Sequence, residues 1–143
     1  MNNENSNIIA SGRLVEQLRL SHAFLLKTYL RQLESYKYFK RKNTNEHLTD
    51  FFRLFDWYFY DSANKLKWEN IRPLIPQNLE KIIKEEYAML NEKEIRLCCL
   101  LLFDVSTGNI IDILPYTEKS VYSITHVIKK KTGMKIFRKP WKY

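Results

Sequence analysis

The stretch LNEKEIRLCCLLLFDVSTGNIIDILPYTEKSVYSITHVIKKKTGM, residues 90–134, decides the fold. Asn91 is a good helix cap, and Glu94 stands three residues later. That is the spacing of a capping box, in which each side chain satisfies the other residue's backbone amide. Ile95, Cys98, Cys99 and Leu102 then recur on one helical face. Asp104-Val105-Ser106 ends this first helix, and Ser106 can cap a second with apolar positions Ile110, Ile111, Ile113 and Leu114. Pro115 and Tyr116 stop the second helix. Thr117 caps a third, Glu118 in its first turn complements the helix dipole, and Gly133 closes it. Three short helices with a three- or four-residue turn between the second and third make a helix-turn-helix.

On a wheel at about 100° per residue, Val121, Ile124 and Ile128 of the third helix fall together, with Thr125 beside them. Lys119, Tyr122, Ser123, His126 and Lys130 fall on the other side, which holds no acid. Tyr122, Ser123 and His126 are short enough to reach base edges. A lysine that neutralises a phosphate contributes through counterion release. Lys129, Lys130 and Lys131 stand at the C-terminal end, where cations also favour the helix dipole. In a helix-turn-helix the third helix enters the major groove while the second braces it near the backbone. The competing reading of the same residues is a solvated lysine-rich face on a surface helix.

Charge outside this stretch is uneven. The chain carries a net charge of +8 over 143 residues. Residues 1–49 hold 8 basic and 4 acidic groups, residues 50–115 hold 8 and 11, and residues 116–143 hold 8 and only Glu118. Positive ends imply a polyanionic partner, nucleic acid or an anionic membrane surface. Only three glycines serve the whole chain, too few for a hairpin-rich β fold, while 45% apolar residues can build a core. The fold class expected is all-α. No apolar run approaches the roughly 20 residues of a spanning helix and "MNNENSNIIASG" is no signal peptide, so a cytoplasmic protein is expected.

Towards the N-terminus, residues 1–7 are polar and expected to fray. From Ile8 to Phe39 two apolar stripes run at helical spacing. Val15, His22, Tyr29 and Tyr36 with Leu18, Leu25, Gln32 and Phe39 form an imperfect heptad, and Leu14, Leu26, Leu30 and Leu33 form a second stripe. Such a helix can dimerise or pack within its own chain. "KRKNTNEHL" (40–48) is a polar break in which Thr44 or Asn45 can cap the next helix. "HLTDFFRLFDWYFYDSANKL" (47–66) is aromatic on most sides, fit for the core or for an association surface. Pro73 and Pro76 bound a turn, and Asn78 is placed to cap a helix through Leu79, Ile82, Ile83 and Tyr87.

The pattern LNEKE…LCCLL…VST…I…L…TEKSVYSITHVIKKKTG resembles the LuxR-type helix-turn-helix. Leu90 and Glu94 match its start, Ser106, Ile110 and Leu114 its second helix, and Ser120, Val121, Ile128, Lys131 and Gly133 its third. "LNEKEIRLCCLL", with "WENI" before it, is similar to a Bacteroidetes-type subgroup in which such a domain closes a cytoplasmic coiled-coil arm. The likeness implies a sequence-specific, DNA-binding transcriptional regulator, acting as a homodimer on double-stranded DNA, with an upstream sensor or parent protein conceivable. It implies base contacts by Tyr122, Ser123 and His126. Backbone contacts fall to Thr107, Lys119 and the lysines after Ile128, Lys129 and Lys130 among them. Asp104 replaces the family's glycine before the second helix, Ile111 its small alanine, and Pro115 its turn glycine. Ile111 is expected to push the second and third helices apart or to demand repacking between them.

The division expected is residues 1–88, a helical and dimerising region, residues 89–134, the helix-turn-helix, and residues 135–143, a basic tail. "RKPWKY" in that tail is either a backbone-tracking arm or a plain basic end. No enzyme, cofactor, metal or small-molecule substrate is expected. His22, His47 and His126 lack a neighbouring nucleophile or ligand set, and Cys98 and Cys99 lie on a core face. No α/β receiver is expected within the first 60 residues, which show no run of apolar strands with terminal acids. The alternative is a protein-interaction module with a degenerate helix-turn-helix.

Overall fold

Most of the chain's early length goes into one helix, α1 (Asn2–Lys42), which at 41 residues is about 60 Å long. The computed structural model describes the backbone of residues 2–133 and the side chains of residues 16–133; the RKPWKY tail lies outside them. α1 begins at Asn2, so the polar first residues are helical rather than frayed. The two stripes read in its sequence have different fates. Leu26, Leu30 and Leu33, with Ala23 and Tyr36, are buried. Leu18, Leu25 and Phe39 of the heptad series remain about half exposed. The second stripe therefore packs inside the chain.

After a 3₁₀ turn (Glu46–Leu48) whose Asn45 cap accepts from the His47 amide, α2 (Thr49–Phe59) runs back along α1. Phe52, Phe55 and Phe59 face α1. Phe55 stacks on Tyr36 at 3.7 Å between ring centres, and Phe52 meets Tyr36 and Phe39 edge-on. The Tyr36 hydroxyl donates to Asp56 at 2.8 Å, and Lys40 closes the same carboxylate. The aromatic helix is shorter than its sequence suggests. Tyr60 is extended and bridges Leu66, and the Asp61 side chain caps the intervening turn through the amides of Ala63 and Lys65. A carboxylate offering local acceptors competes with helix at such a position.

α3 (Trp68–Ile71) and a 3₁₀ turn (Arg72–Leu74) lead to α4 (Leu79–Glu86). Asn78 stands at the start of α4 but does not cap it through its side chain. It takes the left-handed region, φ 71°, where a capping residue is ordinarily extended. Glu80 gathers this connector by accepting from Trp68 Nε1 at 3.0 Å and Arg72 Nε at 2.7 Å. Burial opposes its ionisation, yet the hydrogen bonds from Arg72 and Trp68 prevail and hold the carboxyl below the ordinary range. Arg96 lies over the Trp68 ring, joining the connector to the next helix.

α5 (Glu92–Leu102), α6 (Thr107–Ile113) and α7 (Glu118–Thr132) complete the seven α-helices of the described residues, which contain no β-sheet. The all-α class is thus established. No helix among the described residues is long and apolar enough to cross a membrane. α5 is more deeply placed than its sequence implied. Besides Ile95, Cys98 and Cys99, Leu97 and Leu100 on its opposite side are fully buried, while Leu102 is only half-buried. Buried residues from Ala23 to Ile128 make one cluster, so the long helix and the last three helices share a core.

Both cysteines are free and buried. Burial, with the Glu94 charge near Cys98 and the Glu80 charge near Cys99, pushes both thiols up to about 12. Neither should react with a thiol-specific disulfide reagent at pH 8 in the native protein, and both should react at once in denaturant. Fast native labelling of either would contradict this packing.

Candidate DNA-binding surface

α7 is set by its ends. The Thr117 side chain accepts from the Ser120 amide at 3.2 Å, and Gly133 closes the helix in the left-handed region at φ 66°. α6 is capped by Ser106, which accepts from the Asn109 amide, and its last residue is Ile113. Leu114 to Thr117 form a four-residue turn in which Pro115 is exposed. The capping box of α5 is complete: Asn91 accepts from the Glu94 amide at 2.8 Å and Glu94 from the Asn91 amide at 2.9 Å. α7 packs on both α5 and α6.

Val121 and Ile128 are buried and Ile124 half-buried, so the apolar edge of α7 faces the core. The opposite edge is open. Lys119, Tyr122, Ser123, His126, Lys129 and Lys130 are all exposed, Tyr122 by 64%. Thr107, the first residue of α6, is half-buried. The six exposed side chains share one helix face, and Thr107 sits apart from them on the bracing helix. The Ser123 hydroxyl donates back to the Lys119 carbonyl at 3.3 Å, leaving acceptor lone pairs outward.

Lys131 is turned to another use. Its ammonium lies 3.5 Å from Glu94 Oε2, tying the end of α7 to the start of α5. Glu94 is 6% exposed, and the pairing satisfies the oxygen that the capping box leaves over. Lys129 and Lys130 therefore carry the outward charge of the last turn. Val127, 44% exposed, flanks the same face. Its sequence signal is that it falls out of phase with Val121, Ile124 and Ile128. An exposed methyl-bearing side chain there suits contact with a thymine methyl group.

The corners behind α7 show how the unusual residues are accommodated. Asp104 adopts φ 58°, the left-handed conformation a glycine would supply. Its carboxylate accepts from Arg19 Nη1 of α1 at 3.1 Å. Close by, His22 donates through Nδ1 to the Leu74 carbonyl at 2.8 Å, and its ring lies 5.9 Å from that of Phe103. Ile111 is half-buried against the core and its carbonyl accepts from Lys65 Nζ. Lys37 lies 3.7 Å from Asp112, whose carbonyl accepts from the Leu66 amide. α1 thus holds the corner that precedes α6 through Asp104, and α1 with the segment after α2 holds the C-terminal end of α6, the helix packed on α7.

Comparison with protein-family models, curated proteins and solved structures found no match. The likeness to LuxR-type regulators therefore rests on the residues of the chain itself.

Proposed function

We propose that the protein is a sequence-specific, double-stranded DNA-binding transcriptional regulator that acts as a pair of subunits, α7 entering the major groove. One observation carries the reading. α7 hides Val121 and Ile128 and exposes Tyr122, Ser123 and His126 between Lys119 at one end and Lys129 and Lys130 at the other. Hydrogen-bonding groups flanked by cations are what base readout and phosphate anchoring require of a single helix. In this reading Thr107, half-buried at the start of α6, contributes a backbone contact.

Selection of duplexes from a random pool tests the reading directly. A palindrome with half-sites about one helical turn apart is expected. His126→Ala should lower the preference for the selected site over random duplex by roughly 10-fold, the lower part of the range for a base contact. Affinity for random duplex should change little. Equal loss on both sequences would make His126 a backbone contact instead.

A second reading has its own observation. α1 and α2 leave large apolar side chains exposed, as a protein-interaction module would. In that reading the helix-turn-helix is degenerate, and the purified protein should carry no nucleic acid by its absorbance at 260 nm.

A further inference from the structure

Among the described residues, the large apolar side chains that α1 leaves exposed fall on two faces: Leu18, Leu25 and Phe39 on one, Leu20, Phe24 and Tyr38 on the other; the first face is the one that α2 continues. Positions 18, 21, 25, 28, 32, 35 and 39 follow a heptad rhythm and hold Leu, Ser, Leu, Thr, Gln, Ser and Phe. No charge interrupts this stripe over about 30 Å of helix, although α1 carries Lys27, Arg31 and Glu34 elsewhere on its circumference. α2 extends the stripe. On one side of the α1–α2 contact Asp56 meets Tyr36 and Lys40; on the other Phe39 meets Phe52, and Phe51 leans on Phe52 and Phe55. The second side is where Phe51, Leu54 and Tyr58 emerge, 52%, 66% and 54% exposed. Two exposed aromatics off this face have cations on their rings: Tyr38 has Arg41 and Lys42, and Trp57 has Lys67.

We propose that this face, Leu18, Leu25 and Phe39 of α1 with Phe51, Leu54 and Tyr58 of α2, is where a second copy of the chain docks, related by a twofold axis. The assignment deepens the paired-subunit reading above and names its surface. Three arguments select a second copy over another partner. At their observed exposure the six side chains offer roughly 700 Å², and the serines and glutamine between them bring the face close to the roughly 800 Å² each partner contributes to a stable dimer. An uncharged stripe meets its own copy without like-charge repulsion, although the chain as a whole carries +8. Heptad spacing lets the same side chains interdigitate with themselves across a twofold axis, as an isologous interface requires.

Sedimentation velocity of the full chain at 5–50 µM provides the test. A species of twice 17.3 kDa is expected. Leu25→Glu and Leu54→Glu, both at exposed positions, should each raise the dissociation constant at least 100-fold while the circular dichroism spectrum stays unchanged. Lys27→Glu, away from the stripe, should leave the dimer intact. A wild-type monomer at 50 µM, or dimers that persist in both glutamate variants, would overturn the proposal; the first result would give the face to a different partner. The DNA reading fails separately: a dimer that ignores duplex sinks that reading alone, and a monomer that binds duplex sinks only this one.

Discussion

Raising the salt from 50 to 200 mM should weaken binding to duplex DNA by roughly 10³-fold. In the paired, DNA-bound state proposed above, Lys119, Lys129 and Lys130 of two subunits would neutralise about six phosphates, and affinity falls with a log–log slope of about −0.9 for each. A slope near −5 is therefore expected in a titration followed by fluorescence anisotropy. Replacing Lys129 and Lys130 together by alanine removes four of the six contacts. The slope should drop to about −2 and the same salt step should cost only about 10-fold. Lys131→Ala should act otherwise. That ammonium is committed to Glu94, so its loss should appear in stability more than in the salt slope. A salt-independent complex, or none at 50 mM, would end the DNA reading.

Leu100→Ala should destabilise the fold by about 2–5 kcal/mol, the range for a fully buried leucine that leaves a cavity. Leu100 is wholly inaccessible, and its carbonyl accepts from the Val105 amide at the corner into α6. The loss is a large share of the roughly 5–15 kcal/mol that holds a domain together. A fall in Tm of about 5–20 °C is expected for a chain of this length. Leu102→Ala, at a half-buried position, should cost clearly less. The ordering is informative because the one-face reading of α5 ranks the two positions the other way round. Equal costs would mean that α5 is not enclosed on its Leu97–Leu100 side.

How much was legible beforehand follows the distance over which each interaction acts. Asn91 with Glu94, Ser106 with Asn109, and Thr117 with Ser120 are bonds between residues three apart, and each was visible as a spacing. The split of α7 into a hidden and an open edge was equally visible, because a helix against a single core presents one face to it. The Asn78 side-chain cap failed because Asn78 enters α4 in the left-handed region, a conformation asparagine tolerates besides the extended one a cap needs. The end of α2 at Phe59 was hidden by an aromatic run whose pattern continues past it.

The sequence by itself determined the helical class, the caps that delimit α5, α6 and α7, and the face that α7 turns outward, since these depend on bonds and periodicity within a few residues. Only the tertiary structure decided which stripe of α1 enters the core, that α5 is enclosed on both sides, and that Arg19 reaches Asp104 across 85 positions of chain. Burial is a property of what stands opposite, and a helix with two apolar stripes carries no local sign of which one its neighbours will cover.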